Sequence, residues 1–202
     1  MGYLMLFGFG HGHEAVSWIA VFLGNPGPRF ENTRHNVGFM VADFIADKAG
    51  LKINRIKFNS LSATIALGGS QVLMLKPQTY MNLSGGAVKQ AMNFYKIPLE
   101  SIVVFSDDVA LPAGKLRIRR RGSSGGHNGL ADIIAKCGGE GFPRIKLGVG
   151  SPPHSDYAMI DWVLSKPVGE DKAAIADSVS RAAIALEVLI AHGPEKAMSE
   201  FN

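Results

Sequence analysis

The chain has one cysteine, Cys137, among its 202 residues. That excludes an intramolecular disulfide framework and suits a reducing, cytoplasmic setting. A lone thiol of this kind reads as a small packing residue rather than a nucleophile. No run of eighteen apolar residues occurs, so no membrane-spanning helix is expected. There is no internal repeat and no low-complexity tract. HExxH, paired CxxC and GxxxxGK[ST] are all missing, which removes the usual signatures of zinc hydrolysis, thiolate metal sites and P-loop chemistry. No serine or cysteine stands in a setting that would activate it. The segment from Met1 to Ser17 has an apolar stretch, Tyr3 to Phe9, but no Lys or Arg, so it lacks the basic region of a signal peptide. It reads as an extension ahead of one domain that begins at Trp18 and runs to residue 202. His11-Gly12-His13 within it is a weak metal motif, and neither a metal nor any other cofactor is expected.

What is present is a core. Hydrophobic residues make up 47% of the chain, enough to bury a single domain. The net charge of +4 is mild and by itself points only weakly to an anionic partner. Ile19 to Leu23 is an apolar run that reads as a buried strand, and Val37, Met40, Val41, Phe44 and Ile45 are spaced as one helix face. Ser62 to Leu67 and Gln71 to Lys76, joined by Gly68-Gly69-Ser70, read as a hairpin. Ser84 is expected to cap a helix bearing Ala87, Val88, Ala91, Met92 and Tyr95. Strands follow at Ser101 to Ser106, Leu116 to Arg121 and Arg144 to Val149. A short helix opens after the glycine-rich Gly122 to Gly129, and a long one carries Ile175 to Ile190. Alternating strands and helices define an α/β fold, a single three-layer domain with a twisted mixed β-sheet flanked by helices. The hairpin is what makes the sheet mixed.

The polar residues at strand ends are the candidates for chemistry. Asn25 and His35 bracket the loop between the first strand and first helix, where ligands bind in open α/β sheets. Asn36 is a plausible helix N-cap, which sets His35 at the positive end of a helix dipole and favours a neutral, proton-accepting imidazole. Asn82, Asp107, His127 and Asn128 follow other strands. A neutral His paired with an Asp is a general-base arrangement, and Asn side chains donate to a carbonyl or oxyanion. The set favours water, activated by His35, attacking an acyl carbonyl. Each residue also has a structural reading: packing or capping for His35 and His127, turn geometry for Asn25, Asn82 and Asp107. The run Lys115 to Arg121 is sharper. At strand period two, Lys115, Arg117, Arg119 and Arg121 share one face, and Lys146 adds to it. A polyanion beside the histidine rim explains that stripe better than a solvated edge strand does.

These residues fall within motifs that resemble the bacterial peptidyl-tRNA hydrolase family. The motifs are Leu23-Gly24-Asn25-Pro26-Gly27, Thr33-Arg34-His35-Asn36-Val37-Gly38, Lys76 to Gly85, and Gly125-Gly126-His127-Asn128-Gly129-Leu130. The resemblance covers the chain from about Ile19 onward. It implies hydrolysis of the ester between peptide and tRNA, with His35 as general base and Asp107 holding it basic. It implies that Asn25 separates blocked from free aminoacyl-tRNA, and that Phe30, Tyr80, Asn82 and Asn128 contact substrate. Phe30 stands where the family commonly has Tyr. The family is usually monomeric and metal-independent, so tRNA is the expected partner, with no membrane and no obligatory protein. A relative of this fold that binds RNA without cleaving it has no need of a base, so His35 and Asp107 argue against that reading. A nucleotide-binding enzyme lacks its phosphate motifs here.

Overall fold

The computed structural model describes residues 15–154 and 156–202. The His11-Gly12-His13 motif and the Tyr3 to Phe9 stretch lie outside the described residues. The strands are β1 (Trp18–Phe22), β2 (Arg55–Lys57), β3 (Ser60–Leu67), β4 (Ser70–Pro77), β5 (Ile102–Asp108), β6 (Leu116–Arg119) and β7 (Arg144–Gly148). They form one sheet in the order β2-β3-β4-β1-β5-β7-β6. The β4-β1-β5-β7 centre is parallel, and the flanking pairs β2-β3, β3-β4 and β6-β7 are antiparallel. The helices are α1 (Val37–Lys48), α2 (Ser84–Tyr95), α3 (Asn128–Cys137), α4 (Met159–Val163), α5 (Gly169–His192) and α6 (Pro194–Phe201).

The central strands read as continuous apolar runs because both of their faces are covered. Ala20 and Phe22 join a core built with α1 and α5, whereas Ile19 and Val21 face a second core with α2 and α3. Phe22 stacks on Phe105 of the neighbouring strand, ring centres 4.7 Å apart. This is the three-layer mixed α/β domain expected from the sequence. The β3–β4 turn is Gly68-Gly69 with φ of 57° and 77°, both positive as a two-residue type I′ hairpin turn requires. Val16 packs partly against the second core and the Ser17 N–H donates to the Gln71 carbonyl at 3.0 Å, so the folded body reaches slightly ahead of Trp18.

Three local expectations are corrected. Ser84 does not cap α2: its Oγ donates to the Met81 carbonyl at 2.9 Å, and the Gly85 N–H is met by Asp132 of α3 at 2.7 Å. Asn36 precedes α1 but its side chain makes no capping bond, because Asn25 claims it. The basic strand ends at Arg119, so alternation does not reach Arg121.

Candidate active site

The carboxyl ends of β4, β1 and β5 and the start of α3 meet around Asp107. His35 lies in a single 3₁₀ turn, Arg34–Asn36, that runs directly into α1. Two neighbours fix that turn. Gly38 lets α1 press against β1, since a Cβ there would meet the Leu23 backbone oxygen at 2.4 Å. Arg34, almost fully buried, donates to the carbonyl of Val149 at 3.3 Å, Ser165 Oγ at 2.8 Å and Asp171 at 2.9 Å, and lies 3.7 Å from the Trp162 ring centre. Between them these contacts tie the histidine turn to the β1 backbone and to the segment carrying α4.

Asp107 ends β5 and is buried. Its Oδ1 lies 2.8 Å from His35 Nδ1 and 3.0 Å from His127 Nε2. The other nitrogen of His127 fixes the proton positions. Nδ1 accepts the backbone N–H groups of Gly129 at 3.1 Å and Leu130 at 3.3 Å, so it carries no hydrogen. A neutral His127 is therefore protonated on Nε2 and donates to Asp107. Asp107 then accepts from His35 Nδ1 as well, which leaves His35 Nε2 as an imidazole lone pair with no partner among the described residues. Burial pushes the Asp107 carboxyl up, but the charge and hydrogen bonds of His127 and His35 more than reverse this and hold it below the usual carboxylate range. Removing a charge from water costs several kcal/mol. Two hydrogen bonds to it, each worth about 1.5–3 kcal/mol, are of the size needed to offset that.

His35, Asp107 and His127 also have the composition of a metal-binding group. The hydrogen-bond pattern opposes that use. His127 could ligate through Nε2 only as an imidazolate, or by releasing the start of α3 from its Nδ1.

Asn25 sits beside this centre. Its backbone N–H and carbonyl are both held by the Asn36 carboxamide, each at 2.9 Å, and its own Oδ1 accepts from the Met81 N–H at 2.8 Å. With Oδ1 committed, Nδ2 is the free end of the side chain, a donor of fixed orientation. Asn82 and Asn128 are exposed, and Tyr80 is 64% exposed. Phe30, in contrast, is buried, with the Arg29 guanidinium over its ring at 4.4 Å. The His127 ring is turned inward to Asp107, with its side chain 8% exposed. Sequence reasoning missed Asn36, Arg34 and Gly38 as the parts that orient the site. The Asn36 role had no local signal, because its partner is eleven residues away across a loop. Cys137 is half-buried and burial pushes its thiol up to about 11, consistent with an inert residue.

The basic residues occupy the β6–β7 edge. Arg117 is paired in register with Lys146, so the two are side by side on one face, with Leu116 and Ile118 buried on the other. Lys146 already holds Asp108 at 2.7 Å. Arg120 reaches Glu195 of α6 at 3.3 Å, away from the stripe.

This fold and centre define a three-layer α/β domain with a buried His–Asp–His cluster beside carboxamide side chains at the carboxyl ends of its parallel strands. The chain belongs to the peptidyl-tRNA hydrolase family, enzymes that cleave the ester joining a peptide to tRNA; the family profile matches residues 19–202. Peptidyl-tRNA hydrolase of Caldanaerobacter subterraneus subsp. tengcongensis is 49% identical over 185 residues, covering 92% of this chain and 99% of that one. The enzyme of Carboxydothermus hydrogenoformans is 48% identical, covering 92% and 98%. A crystal structure of peptidyl-tRNA hydrolase from Acinetobacter baumannii superposes with a TM-score of 0.86 at 32% identity, covering 95% of this chain and 97% of that one. No helix among the described residues is long and apolar enough to cross a membrane.

Proposed function

We propose that this chain hydrolyses peptidyl-tRNA by a metal-free, general-base route in which His35 Nε2 takes a proton from water as the oxygen attacks the ester carbonyl. The observation that carries this is the proton pattern around Asp107: both imidazoles donate to one carboxylate, leaving His35 Nε2 as the acceptor. Asp107 orients the ring and stabilises the imidazolium that forms. His127 acts through Asp107, as a neutral donor locked by the α3 backbone, and is a positioning residue rather than a tRNA contact. An ester has a better leaving group than an amide, so a positioned water and a base suffice without a covalent intermediate. Asn25 Nδ2, with Asn82 and Asn128, offers amide partners for the peptide side of the ester. A free ammonium there would meet donor ends rather than acceptors, a mismatch that costs affinity in a partly dry site. Arg117 and Arg119 take the phosphates of the acceptor arm. The protein acts on tRNA as a monomer in the cytoplasm.

The test is turnover by the purified chain of N-acetyl-aminoacyl-tRNA beside free aminoacyl-tRNA. The blocked substrate should be cleaved and the free one spared. Equal rates on both would refute the selectivity, and cleavage of neither would refute the activity.

A further inference from the structure

Positive charge is spread unevenly along the chain. Residues 48–99 hold seven of the 21 Lys and Arg residues and no Asp or Glu, so this segment carries +7; the other 14 cations face all 17 carboxylates, a net −3. The segment folds into β2, β3, β4 and α2, on the half of the sheet opposite the Arg117 and Arg119 stripe. β2 is one edge of the sheet and β6 the other, six strand spacings or roughly 29 Å apart at about 4.8 Å each. An acceptor arm that runs from His35 to the β6 stripe therefore leads away from β2.

At the β2 edge the charge comes with exposed aromatic surface. Arg55 and Lys57, two apart on β2, share the face that meets the end of α2. The Lys57 ammonium lies 3.6 Å from the ring centre of Phe94 and 5.2 Å from that of Tyr95, and Lys96 follows at the end of the helix. The side chains of Arg55, Lys57 and Lys96 make no ion pair among the described residues. Phe94 is 59% exposed. Phe58 braces it, with ring centres 5.4 Å apart, from a β2–β3 turn in which Phe58 has a φ of 55°. A Phe at positive φ is an outlier that persists only where its surroundings hold it there. Cations on an edge strand also guard against aggregation. That role accounts for Arg55 and Lys57, but not for an α2 ring held out in solvent or for the absence of any carboxylate from the whole segment.

Cations around an exposed ring are the features of a surface for single-stranded nucleic acid: phosphates meet the cations and a base stacks on the ring. We propose that Arg55, Lys57, Phe94 and Lys96 bind single-stranded RNA, and that this RNA is a strand other than the substrate's acceptor arm. The two lie at opposite edges of the sheet, so both can be held at once. The ester chemistry plays no part in this, and the binding is read without turnover.

The test is fluorescence anisotropy of a labelled oligouridylate of about twelve nucleotides with the purified full chain, titrated from about 50 to 200 mM salt. Phe94→Ala should weaken binding roughly tenfold, the size of one lost base–ring stack, and Phe94→Tyr should restore it. Arg55→Ala should weaken it less and flatten the slope of log K against log salt by roughly 0.7. A cooperative urea transition shows that each variant is folded, and cleavage of N-acetyl-aminoacyl-tRNA should stay at the parent rate. The proposal is overturned if the parent does not bind the oligonucleotide at the lowest salt. It is equally overturned if Phe94→Ala and Arg55→Ala leave the affinity unmoved while Arg119→Ala abolishes it, which puts the RNA on the β6 stripe. Phe94-dependent binding to vesicles of phosphatidylserine and phosphatidylcholine, with none to the oligonucleotide, makes the face a membrane contact instead.

Discussion

Around Asp107 nearly every donor and acceptor is committed: both nitrogens of His127, Nδ1 of His35 and Oδ1 of the carboxylate all have partners within 3.3 Å. Along β6 the reverse holds. The side chains of Arg117 and Arg119 make no hydrogen bond or ion pair among the described residues, and Arg119 is exposed. The first region is built so that one lone pair is left over in a fixed direction. The second is built so that charge is left over with no fixed direction. The first arrangement can stabilise a transition state, because its geometry is set before the substrate arrives. The second can attract a polyanion and steer it, with an energy that depends on salt.

The largest test of that contrast is at the centre. His35→Ala should lower kcat by about 10²–10⁴-fold, the usual cost of losing a general base, with KM for tRNA nearly unchanged. Activity within twofold of the parent would end the assignment. His127→Ala sharpens the point. A positioning residue that acts through Asp107 should lower kcat, whereas a tRNA contact would raise KM.

At the basic edge the effect should be smaller and of the opposite kind. Arg117→Ala or Arg119→Ala should raise KM more than it lowers kcat, because the contact is the same in ground and transition states. Each should flatten the log K against log salt slope by roughly one unit or less. Arg120, held by Glu195 on the far side, is the internal control. If Arg120→Ala weakens binding as much as Arg119→Ala, the stripe is not the tRNA path.

The smallest effect is on stability. The folded-state pKa of Asp107 lies below its unfolded value of about 3.9. Its contribution is therefore fully present above the unfolded pKa and is lost as pH falls through the folded one. Urea midpoints measured from about pH 5 downward should fall more steeply for the parent chain than for Asp107→Asn. Parallel slopes would mean that the carboxylate is not held by its two imidazoles.

Much of this was legible in the sequence, for a physical reason. The β1 and β5 runs are apolar because both faces are buried, and Gly68-Gly69 marks its turn by backbone conformation alone. Asn25, His35 and Asp107 stand at strand ends, where polar residues after apolar runs are conspicuous. The alternation of Arg117 and Arg119 with Leu116 and Ile118 is local and survived; its extension to Arg121 failed because the ladder with β7 stops at Arg119–Arg144. What was not legible depends on partners distant in the chain. Asn36 resembles a cap by position and is a clamp by contact. His127 caps α3 through the nearby N–H groups of Gly129 and Leu130, but the carboxylate that draws its other nitrogen inward stands on another strand, twenty residues away. Neither partner can be inferred from the residues on either side.

The position of β1 has a consequence for how the enzyme comes into being. This first strand of the domain pairs on both sides with strands that come much later, β4 and β5. As the chain is synthesised, one edge of its apolar Ile19–Leu23 segment waits for β4 and the other for residues beyond 100. Contacts of such large sequence separation close slowly and leave strand edges open to aggregation meanwhile. His127 and α3 come later still, so a chain arrested before them lacks one of the two imidazoles that hold Asp107. The cluster around Asp107 is therefore completed only once more than three-fifths of the chain has been made.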